Sequence, residues 1–283
     1  MALLEEPTQD IWSFGQRILG VFVRLYRALK HFIAVFLIAA FAFTLLPTSA
    51  TQISLQESLA IGWLGDSVSA HVLRWLLSYL VPPGEKVYAL GPFDVFNVLM
   101  MIGAFLGLMV ALPVLAFDLY RYFGRAFYAS ERRLLRNLSL MGTSLFFFGV
   151  IFGLLVLLPP VFLFAYDLQV TIGAQSGVGL YDFFETVVMF SLTLGLVFQI
   201  PTVAYALAKL HILHAEAMRK YRFLAIGATG VMAFIVSPGT GGGIVEGVIF
   251  AILYSLFELS ILIVSRVERK ESPKKSMVES TDT

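Results

Sequence analysis

The sequence predicts an all-α, polytopic membrane protein, and three observations carry that expectation. First, 58% of the 283 residues are hydrophobic and only 14% are charged, with a mean hydropathy of +0.84. A soluble domain carries about a quarter charged residues. Second, the apolar residues come in blocks of membrane-spanning length, closed by prolines, glycines or short charged loops. Third, the net charge of +1 conceals a strong alternation, with lysine and arginine crowding into every second connection.

Residues 11–30 (IWSFGQRILGVFVRLYRALK) place Ile11, Phe14, Ile18, Phe22, Leu25 and Leu29 on one stripe at helical spacing. Arg17, Arg24, Arg27 and Lys30 fall mostly on the other side, a pattern suited to an interfacial helix on an anionic leaflet. The basic helix precedes the apolar run and no small-residue cleavage site closes it, which is unlike a signal peptide. Residues 1–31 are therefore read as a cytoplasmic amphipathic N-terminal segment.

Residues 32–265 form the membrane domain, with spans at about 32–48, 92–117, 138–161, 183–208, 223–236 and 244–264. The long first outer connection contains DSVSAHVLRWLLSYLV, Asp66 to Val81. It reads as an amphipathic helix capped by Asp66 or Ser67 and stopped by Pro82-Pro83-Gly84, lying on the outer surface or capping a cavity. Phe223 to Val236 is only 14 residues, about 21 Å of helix, so the fifth span is short for a hydrocarbon core of about 30 Å. Residues 266–283 form a basic, disordered cytoplasmic tail.

Basic residues gather at the N-terminus, in 118–136, in 209–222 and in the tail, whereas the other three connections hold only Arg74 and Lys86. The positive-inside bias then gives six spans with both termini in the cytoplasm.

The absence of cysteine excludes disulfides, thiolate metal sites and thiol catalysis. His31, His71, His211 and His214 make no metal cluster, and no Ser/His/Asp or paired-acid arrangement is visible. Gly239 to Gly243 (GTGGG) lacks the lysine and hydroxyl residue of a phosphate loop and reads as a hairpin apex. Nothing points to an enzyme, a cofactor or a nucleic-acid partner.

Polar groups inside spans are costly and take a functional reading by default. Gln199 lies about 15 Å from the cytoplasmic end of the fourth span. It either bonds a neighbouring helix backbone beside the Pro201 kink or lines a functional cavity. Glu258, in the cytoplasmic half of the sixth span, calls for a buried contact. Glu185 and Glu246, nearer the outer ends, read as carboxylates solvated at headgroup level. The connection Asp118 to Arg136 holds five arginines and two acids, Asp118 and Glu131. Its arginines fix topology; Glu131 could bind a guanidinium by a two-pronged pair.

Spaced motifs between Pro92 and Glu258 resemble the TatC family, the multi-span core of the twin-arginine protein translocase. They are Pro113; Tyr128 with Glu131-Arg132-Arg133; Phe148-Gly149, Phe152 and Pro159; Gly195, Phe198, Gln199 and Pro201; Arg219, Lys220 and Arg222; and Tyr254 with Glu258. The resemblance implies a non-enzymatic receptor for twin-arginine signal peptides of folded proteins in a prokaryotic cell membrane, driven by the protonmotive force. It implies single-span TatA/TatB-type partners and homo-oligomers within the complex. Signal-peptide binding would fall to Glu131, Tyr122, Arg132 and Arg133, the intramembrane cavity to Gln199 and Glu258, and partner contacts to Glu246, Pro201 and Tyr254. The sequence departs from the family at its N-terminus, where the His-Leu-x-Glu-Leu-Arg pattern is missing and with it a second acid for the arginine pair. Glu5, Glu6 and Asp10 are the candidates there. The rival reading is a small-solute transporter with Gln199, Glu185 and Glu258 along a polar path; it calls for repeats or midplane breaks in both halves, and the sequence has neither.

Overall fold

The computed structural model describes residues 29–48, 65–123, 129–173, 177–237 and 243–279, without side chains for 122–123, 129–131 and 270–279. The expected N-terminal interfacial helix and the glycine hairpin apex lie outside these residues. The described chain is helical apart from one two-residue strand pair. The helices are α1 (Leu29–Leu45), α2 (Val68–Leu80), α3 (Asp94–Phe123), α4 (Ala129–Phe152), α5 (Leu158–Thr171), α6 (Leu180–Val197), α7 (Ile200–Lys209), α8 (Ala215–Lys220), α9 (Arg222–Val236) and α10 (Ile244–Glu279).

Among the described residues, four stretches are long and apolar enough to cross a membrane: Asp94–Arg121, Arg132–Thr171, Leu180–Lys209 and Ile244–Arg269. Leu29–Leu45 and Arg222–Val236 are shorter apolar helices. The chain is a membrane protein built from apolar helices.

Two compact units divide it: residues 1–68 with 103–140, and residues 69–102 with 141–283. In the first, α1 and α3 approach so closely that a Cβ on Gly107 would stand 2.8 Å from the backbone nitrogen of Ala40. Glycine is what permits that approach, as in many membrane helix pairs. Ser139 on α4 donates from Oγ to the Ala116 carbonyl of α3 at 2.9 Å.

In the second unit, α2 falls where the sequence puts it, ending just before Pro82. Its Leu76 and Leu80 are buried, while Trp75 and Tyr79 stack on the exposed side with ring centroids 5.6 Å apart. A π-helical turn, Gly153–Leu157, joins α4 to α5. Pro159 has no N–H to give the carbonyl four residues back. The Tyr79 hydroxyl donates to that carbonyl, Leu155 O, at 2.9 Å. The connection from α1 to α3 is thus fastened to the break between α4 and α5. Strand β1 (Val87–Tyr88) pairs in parallel with β2 (Val178–Gly179), joining the connection before α3 to the connection before α6. Asp94 accepts from the backbone N–H groups of Leu90 and Gly91 at 2.8 and 2.7 Å, closing the start of α3.

The fourth span is interrupted at Phe198–Gln199, and α7 restarts with Pro201 in its first turn. Proline suits that position because a first-turn N–H has no intrahelical acceptor. Helix α10 packs along α7 and α9. At its far end Ala204, Ala208, Ala215, Val264 and Val267 form a buried cluster. Glu268 accepts from the Ala215 N–H at 3.1 Å, tying the second basic connection to α10.

Candidate functional site

The basic connection between α3 and α4 is where the sequence concentrates its candidate receptor residues. Arg121 is exposed in the last turn of α3, and Arg132 and Arg133 are exposed at the start of α4. Glu131 is the third residue of α4 and Tyr122 the last but one of α3, with their side chains outside the description. The backbone therefore brings the four candidates to the facing ends of two consecutive helices.

Gln199 sits at the interruption of the fourth span. Its Nε2 donates to the Gly142 carbonyl of α4 at 3.1 Å and to Gly195 O of α6 at 3.4 Å. That is the bond to a neighbouring backbone that the sequence allowed. Glycines make the crossing close: a Cβ on Gly149 would lie 2.8 Å from Leu194 O, and one on Gly195 2.7 Å from Val150 Cγ2. Phe198 packs between Phe148 and Phe152, with centroids at 5.5 and 5.8 Å. The glycine and aromatic positions singled out in the sequence are the contact surface of this crossing.

The structure gives Glu258 specific partners, but at a half-buried position rather than the buried one expected. Its Oε2 accepts from Arg222 Nη2 at 2.7 Å and its Oε1 from the Tyr254 hydroxyl at 2.8 Å. Arg222 opens α9, and its role as counter-ion was not read from the sequence, 36 residues away. The available signal was physical: an acid carried inside an apolar span needs a cation, and Arg222 stands at the edge of the neighbouring span.

The solvated reading of Glu246 is corrected. Its residue is only 5% exposed, and its Oε1 accepts from Ser237 Oγ at 3.0 Å across the α9–α10 connection. The apolar helices on either side withdraw it from water. Glu185 is exposed and lines a concavity of about 340 Å³ with Asp182, Thr186, Thr193 and Ser237. Gln199 and Glu258 are not among the residues that line it. Among the described residues, no group of three or more His, Cys, Asp or Glu could hold a metal ion.

The family described as Sec-independent protein translocase protein (TatC) matches residues 22–246. The chain belongs to the TatC family. It is 28% identical over 193 residues to the Sec-independent protein translocase protein TatC of Akkermansia muciniphila, covering 67% of this chain and 54% of that protein. The chain thus spans about half the length of that relative. The TatC protein of Listeria innocua is 23% identical over 220 residues, covering 76% of this chain and 88% of its own. A crystal structure of the twin arginine translocase receptor TatC superposes with a TM-score of 0.65 at 21% identity, over 87% of this chain and 99% of that one. The TatC family is one of Sec-independent protein translocase proteins, not of enzymes.

Proposed function

We propose that this protein is the core subunit that receives twin-arginine signal peptides of folded proteins at the cytoplasmic face and nucleates the translocation complex. The observation that carries the reading is Glu131-Arg132-Arg133 at the start of α4, in the basic connection of a TatC-family chain. A carboxylate there takes a guanidinium in a charge-assisted, two-pronged pair, which an ammonium cannot match. Tyr122, Arg132 and Arg133 complete the receiving surface.

The alternation of basic connections supports six spans, with α1 and α9 as the short first and fifth, and both termini in the cytoplasm. The membrane is then the cell membrane of a prokaryote. The signal peptide's apolar segment inserts near Gln199, with Glu258 lower in the same bundle. Glu246, Pro201 and Tyr254 contact single-span TatA/TatB-type subunits, several copies of this chain share one complex, and the protonmotive force drives transport.

The test is binding of the purified protein to a peptide with two consecutive arginines against a two-lysine control. The expected result is selective binding of the arginine peptide that is lost in Glu131→Ala. Selective binding that survives the substitution moves the site away from Glu131. Equal binding of both peptides overturns the receptor reading.

A further inference from the structure

We propose that Asp118 is a second carboxylate for the substrate's arginine pair, held by a histidine that an incoming guanidinium displaces. The inference rests on the receptor reading above and goes further by naming a second acid for the arginine pair outside the N-terminal segment.

Asp118 lies near the end of α3, one helical turn before Tyr122. Its Oδ2 is buried and takes part in no hydrogen bond. Among the described residues, His31 Nδ1 on α1 faces that oxygen from 3.6 Å, beyond hydrogen-bond reach. The two side chains differ sharply in exposure, 15% for Asp118 and 71% for His31. A carboxylate oxygen withdrawn from water without a donor is costly and is satisfied by whatever donor arrives. An exposed imidazole at 3.6 Å is a weak partner and leaves into water at little cost.

The placement is rigid. Helices α1 and α3 meet backbone to backbone at Ala40 and Gly107, and Ser139 of α4 donates to Ala116, half a turn before Asp118. Asp118 is therefore framed by three helices. Exposed Arg121 follows Asp118 by three residues, and exposed Lys30 directly precedes His31. Within 118–136, Asp118 and Glu131 are the two acids among five arginines. Two adjacent arginines need two acceptors, and the weakly hydrated, planar guanidinium suits a half-withdrawn carboxylate better than a strongly hydrated ammonium does.

The experiment measures affinity of the purified full-length protein for the two-arginine and two-lysine peptides, with thermal unfolding recorded alongside. Asp118→Asn is expected to weaken arginine-peptide binding about tenfold or more while leaving lysine-peptide binding unchanged. Asp118→Glu should restore part of the loss. His31→Arg keeps Asp118 intact but sets a guanidinium of the chain's own beside it, and should weaken arginine-peptide binding to a similar degree. His31→Ala should not weaken it. If the parent selects arginine and both Asp118→Asn and His31→Arg bind as the parent does, the inference is wrong and the receptor reading stands. If the parent shows no arginine preference, the receptor reading falls and takes this inference with it.

Discussion

Gln199 and Glu258 are both polar side chains carried into apolar helices, yet their surroundings are built on opposite plans. Gln199 stands at a crossing where glycines let helices touch, and its neutral amide is satisfied by two backbone carbonyls. Glu258 stands where α9 meets α10, and two side chains, a cation and a hydroxyl, satisfy it. On α9 the glycines face open space: nothing lies within 4 Å of a Cβ built on Gly227 or Gly230. A neutral group needs only a near backbone, because a carbonyl has a spare lone pair. A charge needs a counter-charge, and it can have one without close packing.

The largest effect is expected from breaking the close crossing. In Gly149→Ala the new methyl would meet Leu194 O at 2.8 Å and Phe198 Cβ at 2.9 Å. Neither is the free end of a flexible chain, so the helices must separate. The expected cost is about 1–3 kcal/mol, read as a lower unfolding midpoint in detergent. An unchanged midpoint would show that this contact is not what holds α4 to α6.

Next comes the ion pair. Arg222→Met leaves Glu258 with Tyr254 as its remaining described hydrogen-bond partner. The arginine is 48% exposed and the carboxylate 31%, so the loss should fall between that of a surface pair and that of a buried one, about 1–2 kcal/mol. Adding Glu258→Gln should recover most of it, because the uncompensated charge is then gone. A double-mutant cycle checks this, and strictly additive losses would mean that the two groups do not couple.

These contrasts show what the sequence could and could not reveal. Hydrophobic runs and prolines set the helices, so α2, the short α9 and the restart at Pro201 follow from local pattern alone. Gln199 was readable as glue beside a kink because proline frees carbonyls within its own span. Arg222 was not readable as the partner of Glu258, nor Tyr79 as the donor to Leu155, since both depend on which helices become neighbours. Glu246 was misread for the same reason: an acid at a span's end is solvated or buried according to the packing around it. Glu131 and Tyr122, proposed above for signal-peptide binding, were legible as motif and register.

A smaller effect is expected at Gln199. Gln199→Leu removes the amide and leaves two carbonyls short of a donor, costing about 1 kcal/mol. Gln199→Glu should cost more at neutral pH, because a carboxylate would face the Gly142 and Gly195 oxygens with no proton to offer. Unfolding midpoints of the two variants decide the order. If glutamate were the milder change, the amide would not be acting as a donor here.

The smallest effect belongs to the open side of the comparison. Gly230→Ala puts a methyl where, beyond its own turn of helix, no atom of the described residues lies within 4 Å, and alanine is the better helix former by about 1 kcal/mol. The isolated protein should therefore keep its unfolding midpoint or gain slightly. A fall would mean that α9 packs against the chain more closely than the structure has it. If the midpoint holds but the variant no longer co-purifies with the single-span subunits proposed above, the space beside Gly230 is occupied in that complex by another helix. The two glycine substitutions then separate cleanly: Gly149 serves the fold of the chain, and Gly230 serves what the chain assembles with.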